Sequence, residues 1–201
     1  MEQERIKFML EEYKELRNEI MFLEKSIGQF SLAAIIASIS LLSAIGAIFF
    51  RIELDQLRNL PPIAPYFFLF PPLILISVLF ILGSHRRDIH RLGTYLQVFI
   101  EENIFGDGWE VRLDRFRQIN EGESLDHVPK VFWVVYFLSV GLFFFTIYYE
   151  NFNYYKMLHI LIPMLEGIFL YLADKKFQSS SISIRAKYLK DWKKLNKTKI
   201  S

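Results

Sequence analysis

Long runs of apolar residues alternate along the chain with segments that hold nearly all of the charges. Residues 26–50, 60–84 and 131–149 contain no charged side chain, and a shorter run at 157–173 contains one carboxylate, Glu166. A helix of about 20 residues crosses the ~30 Å hydrocarbon core of a bilayer, because each residue adds ~1.5 Å. The pattern therefore predicts four transmembrane helices, at 28–50, 63–83, 130–149 and 156–173.

The charged segments have helical patterns of their own. Residues 1–27 carry apolar side chains at alternating spacings of three and four, so this heptad helix should continue directly into the first span. Its apolar stripe can pack against other helices of the same chain or form a coiled-coil seam between subunits. Residues 84–128 form a predicted helical hairpin interrupted at Gly106-Asp107-Gly108, and 174–201 form a basic amphipathic tail.

The distribution of positive charge predicts which side of the membrane these segments occupy. Of the 24 Lys and Arg residues, 21 lie in 1–25, 85–130 and 174–201, and three lie in the two short connections. Positively charged segments stay on the cytoplasmic side of a membrane. We therefore predict an all-α protein of the cell inner (plasma) membrane, with both termini cytoplasmic and a helical layer beneath the four spans.

Proline and glycine modify two of the predicted spans. Pro71 and Pro72 lie a few residues into the second apolar run, so this span is either kinked or begins with an irregular outer segment, and the kink is favoured. Pro163 lacks the N–H that would bond to the carbonyl of His159, which predicts a kink in the fourth span close to Glu166.

The composition removes several classes of site. The chain has no cysteine, which excludes disulfides, thiolate metal sites and a cysteine nucleophile. His85, Asp88 and His90 are close in sequence, but the two imidazoles would point about 140° apart on a helix, a poor fit for one metal ion. The sequence also lacks Walker, Gly-x-Ser-x-Gly and His-Glu-x-x-His motifs. We expect no enzymatic activity, no cofactor, no metal and no nucleic-acid partner.

Glu166 is the candidate polar site within the spans. A carboxylate at the centre of a bilayer costs about 2.5–3.5 kcal/mol on insertion scales, so it should face other helices or water. One hypothesis places Glu166 on an ion or proton path in a homo-oligomer, and the other makes it a protonated group bonded to a nearby hydroxyl. Its predicted polar partners on the first span are Ser31, Ser38 and Ser40. Beside these serines, a small-residue face can pack within the subunit or between subunits: Ala33, Ala37, Ser40, Ala44 and Ala47.

A second candidate site is an ion-paired junction beneath the membrane. Arg17 and Glu19 on the first helix are expected to meet Glu101, Trp109 and Glu110 of the hairpin, with Arg17 bridging to one of the two hairpin carboxylates. A structural role is favoured over a ligand pocket.

Basic residues near the membrane surface are expected to bind anionic lipid headgroups. They are Arg86, Arg87 and Arg91 after the second span and Lys187, Lys190 and Lys194 in the tail. For the basic tail, packing against the acidic segments is the alternative.

Two motifs carry a resemblance to known proteins. They are Tyr13-x-x-Leu16-Arg17-x-Glu19-Ile20 ahead of the first span and, after the second, Gly93-x-Tyr95-Leu96 with Ile100-Glu101 and Trp109-Glu110. Together they resemble a group of small, uncharacterised prokaryotic four-span membrane proteins with an N-terminal cytoplasmic helix. The resemblance covers residues 1–113 and implies the architecture but no activity. The order of helix and span is also similar to that of two-span membrane effectors of bacterial antiphage systems, by organisation alone.

Two functions fit these patterns. The favoured one is a homo-oligomeric pore-forming or membrane-perturbing module, gated by its cytoplasmic helices. The alternative is a non-conducting membrane-anchored scaffold or sensor that recruits a cytosolic partner. A pore needs Glu166 and the serines of the first span on a central axis between subunits, whereas a scaffold can bury them inside one chain.

Overall fold

The described part of the chain is helical, with no strand among these residues. The computed structural model describes residues 2–51, 63–104, 108–110, 112, 128–150, 156–179 and 183–198. The long helices of this part are α1 (Glu2–Arg51), α2 (Phe70–Tyr95), α3 (Val128–Glu150), α4 (Lys156–Ser179) and α5 (Ser183–Thr198). A 3₁₀ helix, Ala64–Leu69, precedes α2, and a π-helical segment, Leu96–Glu101, follows it and leads into a short α-helical turn, Glu102–Ile104.

Four helical stretches are long and apolar enough to cross a membrane. They are Gln3–Phe49, Ala64–Ile104, Val128–Tyr148 and Met157–Gln178. The prediction of an all-helical protein with four membrane-spanning helices is therefore confirmed at this level. The second half of the predicted hairpin, from residue 113 onward, lies outside the described residues, as do Pro61 and Pro62.

The N-terminal heptad helix and the first apolar run form one uninterrupted helix, α1. Its 50 residues contain no proline, and Leu, Ala, Glu and Lys are strong helix formers. Gly28 lies inside α1 with no atom of another element near the position that a Cβ would occupy. Nothing at this position therefore interrupts the helix.

The structure places the two adjacent prolines at the start of a helix. Because α2 begins at Phe70, Pro71 and Pro72 occupy its first turn, where the missing N–H groups have no helical partner to lose. The preceding 3₁₀ helix, Ala64–Leu69, supplies the irregular outer segment. The second span therefore begins with an irregular outer segment followed by an α-helix from Phe70, which is the alternative to the kink that the sequence analysis favours.

The chain divides into two compact units. The first unit comprises Met1–Gly28, Leu82–Leu125 and Lys176–Ser201, and the second comprises Gln29–Ile81 and Asp126–Lys175. In the second unit, an apolar core forms around Leu42, Ile45, Phe68, Leu69 and Phe143.

Polar contacts also join α3 to α4 inside the second unit. Trp133 Nε1 donates to Asp174 Oδ2 at 3.0 Å, and the Tyr136 hydroxyl donates to the Pro163 carbonyl at 2.8 Å. The aromatic residues of α3 therefore fix its contact with α4 by hydrogen bonds as well as by packing.

The core of the first unit explains where the heptad stripe of α1 is buried. Ile20 packs with Leu96 and Ile100, and Tyr13 and Leu16 lie against the same cluster. The middle of the stripe, from Tyr13 to Ile20, thus packs against its own chain, as in the first of its two predicted environments, whereas Ile6 of the same stripe is 42% exposed.

Candidate functional site

Glu110 is a buried carboxylate at the centre of the first unit. Arg17 Nη1 of α1 donates to Glu110 Oε1 at 3.0 Å, and Arg185 Nη1 of α5 donates to Glu110 Oε2 at 3.4 Å. The residue is only 3% exposed. An unpaired charge in such a site is strongly unfavourable, whereas an ion pair with further hydrogen bonds is tolerated. Glu110 therefore joins three segments that are far apart in the sequence.

Glu101 positions the backbone beside this ion pair. Both of its carboxylate oxygens accept the Glu110 backbone N–H, at 2.9 and 3.1 Å, and the Tyr13 hydroxyl donates to Oε1 at 3.4 Å. Glu101 is 0% exposed. Bonds from a backbone N–H to a carboxylate are charge-assisted, so they hold Glu110 firmly in place.

The π-helical segment brings two polar side chains to the same buried site. Gln97 and Glu101 are both buried within Leu96–Glu101, and Gln97 Oε1 accepts from Arg185 Nη2 at 3.3 Å. Arg185 Nη2 also lies 3.5 Å from the Glu110 carbonyl oxygen. Short π-helical turns inside α-helices are frequent at functional sites. Here the turn contributes acceptors to an arginine that α5 inserts.

Two glycines allow the carboxylates to approach the backbone. A Cβ on Gly108 would overlap the Glu101 side chain, and a Cβ on Gly93 would lie 2.9 Å from Glu110 Oε2. Any larger residue at either position would displace a buried carboxylate.

Aromatic side chains surround the polar network. The Arg17 guanidinium lies 5.2 Å from the centroid of the Trp109 ring, a cation–π distance. Trp192 of α5 packs edge-on against Tyr95 at 5.5 Å and against Phe99 at 5.9 Å. The Tyr95 hydroxyl donates to Glu12 of α1 at 2.8 Å. Both α1 and α5 thus contact the end of α2 and the π-helical segment that follows it.

The structure brings together four of the five residues predicted for the ion-paired junction. Arg17, Glu101, Trp109 and Glu110 share one site, and Arg17 pairs with Glu110. Glu19 does not belong to it, because it lies on the exposed face of α1. Arg17 and Glu19 are two positions apart, and side chains at this spacing on a helix differ in direction by about 200°.

Sequence reasoning missed Arg185, which the tail contributes to this site. One feature of the sequence indicates this role: Arg185 is the single arginine in a tail whose other basic residues are lysines. Arginine suits buried ion pairs better than lysine because its planar guanidinium offers several donors and is weakly hydrated. A lone arginine among lysines therefore pointed to a buried partner.

The predicted polar site of the spans lies inside the second unit of a single chain. Glu166 is 5% exposed and Ser38 is 0% exposed, and Ser31 is buried as well. Ser38 Oγ donates to the Pro71 carbonyl at 3.4 Å. Among the described residues, Glu166 Oε2 has no hydrogen-bond partner. Ser40 is exposed and does not belong to this buried set.

The small-residue face of α1 is exposed in the described part of the chain. Its members are Ala33, Ala37, Ser40, Ala44 and Ala47. This exposure agrees with contact between subunits, the second of its two predicted roles.

The residues expected at lipid headgroups have different environments. The Arg86 guanidinium lies 4.7 Å from the Phe177 ring centroid, and Arg91 pairs with Asp88 at 3.3 Å. Arg87 is half-buried. The three tail residues, Lys187, Lys190 and Lys194, are exposed on α5.

Comparison with family models, curated proteins and solved structures finds no match to this chain. In the described ranges, no group of three or more His, Asp or Glu side chains is arranged to hold a metal ion. The resemblance drawn from the two sequence motifs stays a prediction.

We expect Glu110→Gln to destabilise the first unit strongly. The substitution keeps the shape of the side chain but leaves the buried Arg185 without its opposite charge, so the free energy of unfolding should fall by about 3 kcal/mol. The matched control is Glu102→Gln, which breaks the exposed pair between Lys193 Nζ and Glu102 Oε1 at 3.4 Å and should cost less than about 1 kcal/mol. Unfolding in detergent, followed by tryptophan fluorescence, measures both. Equal losses would contradict a special role for Glu110.

A second expectation concerns the close approach at Gly108. Gly108→Ala should lower the free energy of unfolding by about 1–3 kcal/mol, because the added methyl group overlaps the Glu101 carboxylate. Gly28→Ala is the control, since its Cβ meets no neighbour and alanine favours a helix by about 0.5–1 kcal/mol. The same unfolding measurement applies. A Gly108 variant as stable as the wild type would show that the approach is not tight.

Proposed function

We propose that the protein is a non-enzymatic, multi-pass membrane protein that acts as a membrane-anchored scaffold or sensor and conducts no ions. The first unit, with its buried ion pairs, is the part that recruits a cytosolic partner. The burial of Glu166, Ser31 and Ser38 inside one chain carries this proposal.

Enclosed polar groups cannot line a lumen between subunits. Glu166, Ser31 and Ser38 all lie in the interior of the second unit. The outer faces of α3 and α4 instead expose apolar side chains, among them Val134, Phe137, Leu138, Ile160 and Met164. Copies that met through these faces would present hydrocarbon rather than polar groups to one another, which supports a non-conducting role.

The charge distribution supports a cytoplasmic location for the first unit. The segments of the first unit hold 19 of the 24 basic residues, and positively charged segments stay inside. We place the protein in the plasma membrane with both termini in the cytoplasm. Anionic headgroups are the proposed partners of Arg86, Arg87 and Arg91. The resemblance to small prokaryotic four-span membrane proteins agrees with this arrangement.

One observation favours the pore as a second candidate function. The small-residue face of α1, Ala33 to Ala47, is exposed and therefore available to another copy of the chain. Small residues four positions apart allow close contact between membrane helices. A ring built through this face would be a homo-oligomer whose opening depends on its first units.

Ion flux through reconstituted vesicles separates the two functions. We expect the wild-type protein to give no K⁺ or H⁺ flux above that of empty vesicles. Glu110→Gln should give no flux either. This variant disturbs the first unit, which would gate a pore, so it controls for a pore that is closed in the wild type. Flux in either protein would contradict the scaffold. If Glu166→Gln then abolished that flux, Glu166 would lie on the conducting path.

A further inference from the structure

The outer face of α1 in the first unit carries a row of carboxylates and exposed phenylalanines. We call Phe8, Glu11, Glu15, Glu19 and Phe22 the acidic stripe. Their spacings of three and four place them within about 80° on one side of the helix. All five are exposed, and Phe8 and Phe22 are 67% and 68% exposed. The stripe contains no basic residue.

The outer face of α5 carries the opposite charge. Its lysine stripe comprises Lys187, Lys190, Lys193, Lys194 and Lys197, which are all exposed. At about 100° per residue these lysines fall within an arc of about 120°. Arg185 and Trp192 lie on the opposite side of α5, where they are inserted into the first unit.

The two stripes are turned away from the part of the chain that α1 and α5 share. Helix α1 contacts this part through Arg17 and Ile20, and α5 contacts it through Arg185 and Trp192. The centre of each stripe lies on the side of its helix away from these contacts, and Lys193, at the edge of the lysine stripe, pairs with Glu102 at 3.4 Å. The stripes also have similar lengths, about 12 Å from Glu11 to Glu19 and about 15 Å from Lys187 to Lys197.

We propose that the acidic stripe of one copy binds the lysine stripe of a second copy. Oppositely charged surfaces of similar length steer two proteins into one register, and exposed aromatic rings supply the apolar area that a stable contact needs. Leu195, exposed beside the lysine stripe, is the apolar counterpart for the phenylalanines. The contact uses different surfaces on the two copies, so it is heterologous and generates a ring or an open filament.

This partner replaces lipid headgroups as the ligand of the lysines on α5. A basic amphipathic helix binds a bilayer by burying its apolar face among the lipids. In this structure Trp192, on the apolar face of α5, already packs against Tyr95 and Phe99. The inference does not depend on whether the protein conducts, because either proposed function is compatible with the assembly.

Charge reversal tests the contact. One variant carries Glu11→Lys, Glu15→Lys and Glu19→Lys, and the other carries Lys187→Glu, Lys190→Glu and Lys194→Glu. The first variant alone has two basic stripes, and in the second the altered stripe, with three glutamates and two lysines, no longer complements the acidic stripe. The oligomeric fraction at fixed protein concentration should therefore fall at least tenfold by native mass spectrometry. An equimolar mixture should restore it, because each reversed stripe then meets its complement on the other variant.

The control variant carries Lys7→Glu and Lys14→Glu. These substitutions change exposed charges of α1 outside the acidic stripe and should leave the oligomer unchanged. Circular dichroism checks that all variants fold. The proposal is overturned if either triple variant assembles like the wild type, or if the mixture fails to recover. If the α5 variant instead loses only its binding to vesicles of phosphatidylglycerol, the lysines bind lipid and the proposal is likewise overturned.

Discussion

A carboxylate removed from water needs an opposite charge, and this requirement organises the first unit. Glu110 is buried, and the two arginines that neutralise it come from α1 and α5, near the opposite ends of the chain. Glu101 fixes the Glu110 backbone, and Gly108 leaves room for the Glu101 side chain. Each of these features would be unfavourable without the others, because a partly satisfied buried network is less stable than an apolar core.

The fold was more predictable from the sequence than the site. Charge-free runs of sufficient length predict four membrane-spanning helices, because a bilayer excludes charge whatever the tertiary structure. Arg17 and Glu110 could be placed in the same layer, since both belong to charged segments that are predicted on the cytoplasmic side of the membrane. The partner of Arg185 could not be placed, because a lone arginine among lysines indicates a buried ion pair but not which carboxylate completes it. Only tertiary packing brings Glu110 to this arginine.

The two charge patterns of the first unit have different consequences. Inside, two carboxylates and two arginines balance one another and leave no net charge to attract a partner. Outside, the acidic stripe of α1 and the lysine stripe of α5 carry charges of opposite sign, and Lys193 of the lysine stripe also pairs with Glu102. The first pattern explains why the unit holds together, and the second explains why we expect it to assemble. In the second unit, the carboxylate of Glu166 is likewise enclosed and contributes no charge to the surface of the spans.

Glu110 holds α1 and α5 to the same segment of the chain, and a distance measurement tests this role. The chain has no cysteine, so spin labels at Lys14→Cys and Ala186→Cys report one intramolecular distance by pulsed electron resonance when labelled protein is diluted with unlabelled protein. We expect a single narrow distance distribution, which becomes broader and shifts to longer distances when Glu110→Ala is added. An unchanged distribution in that variant would show that the carboxylate does not hold the two helices.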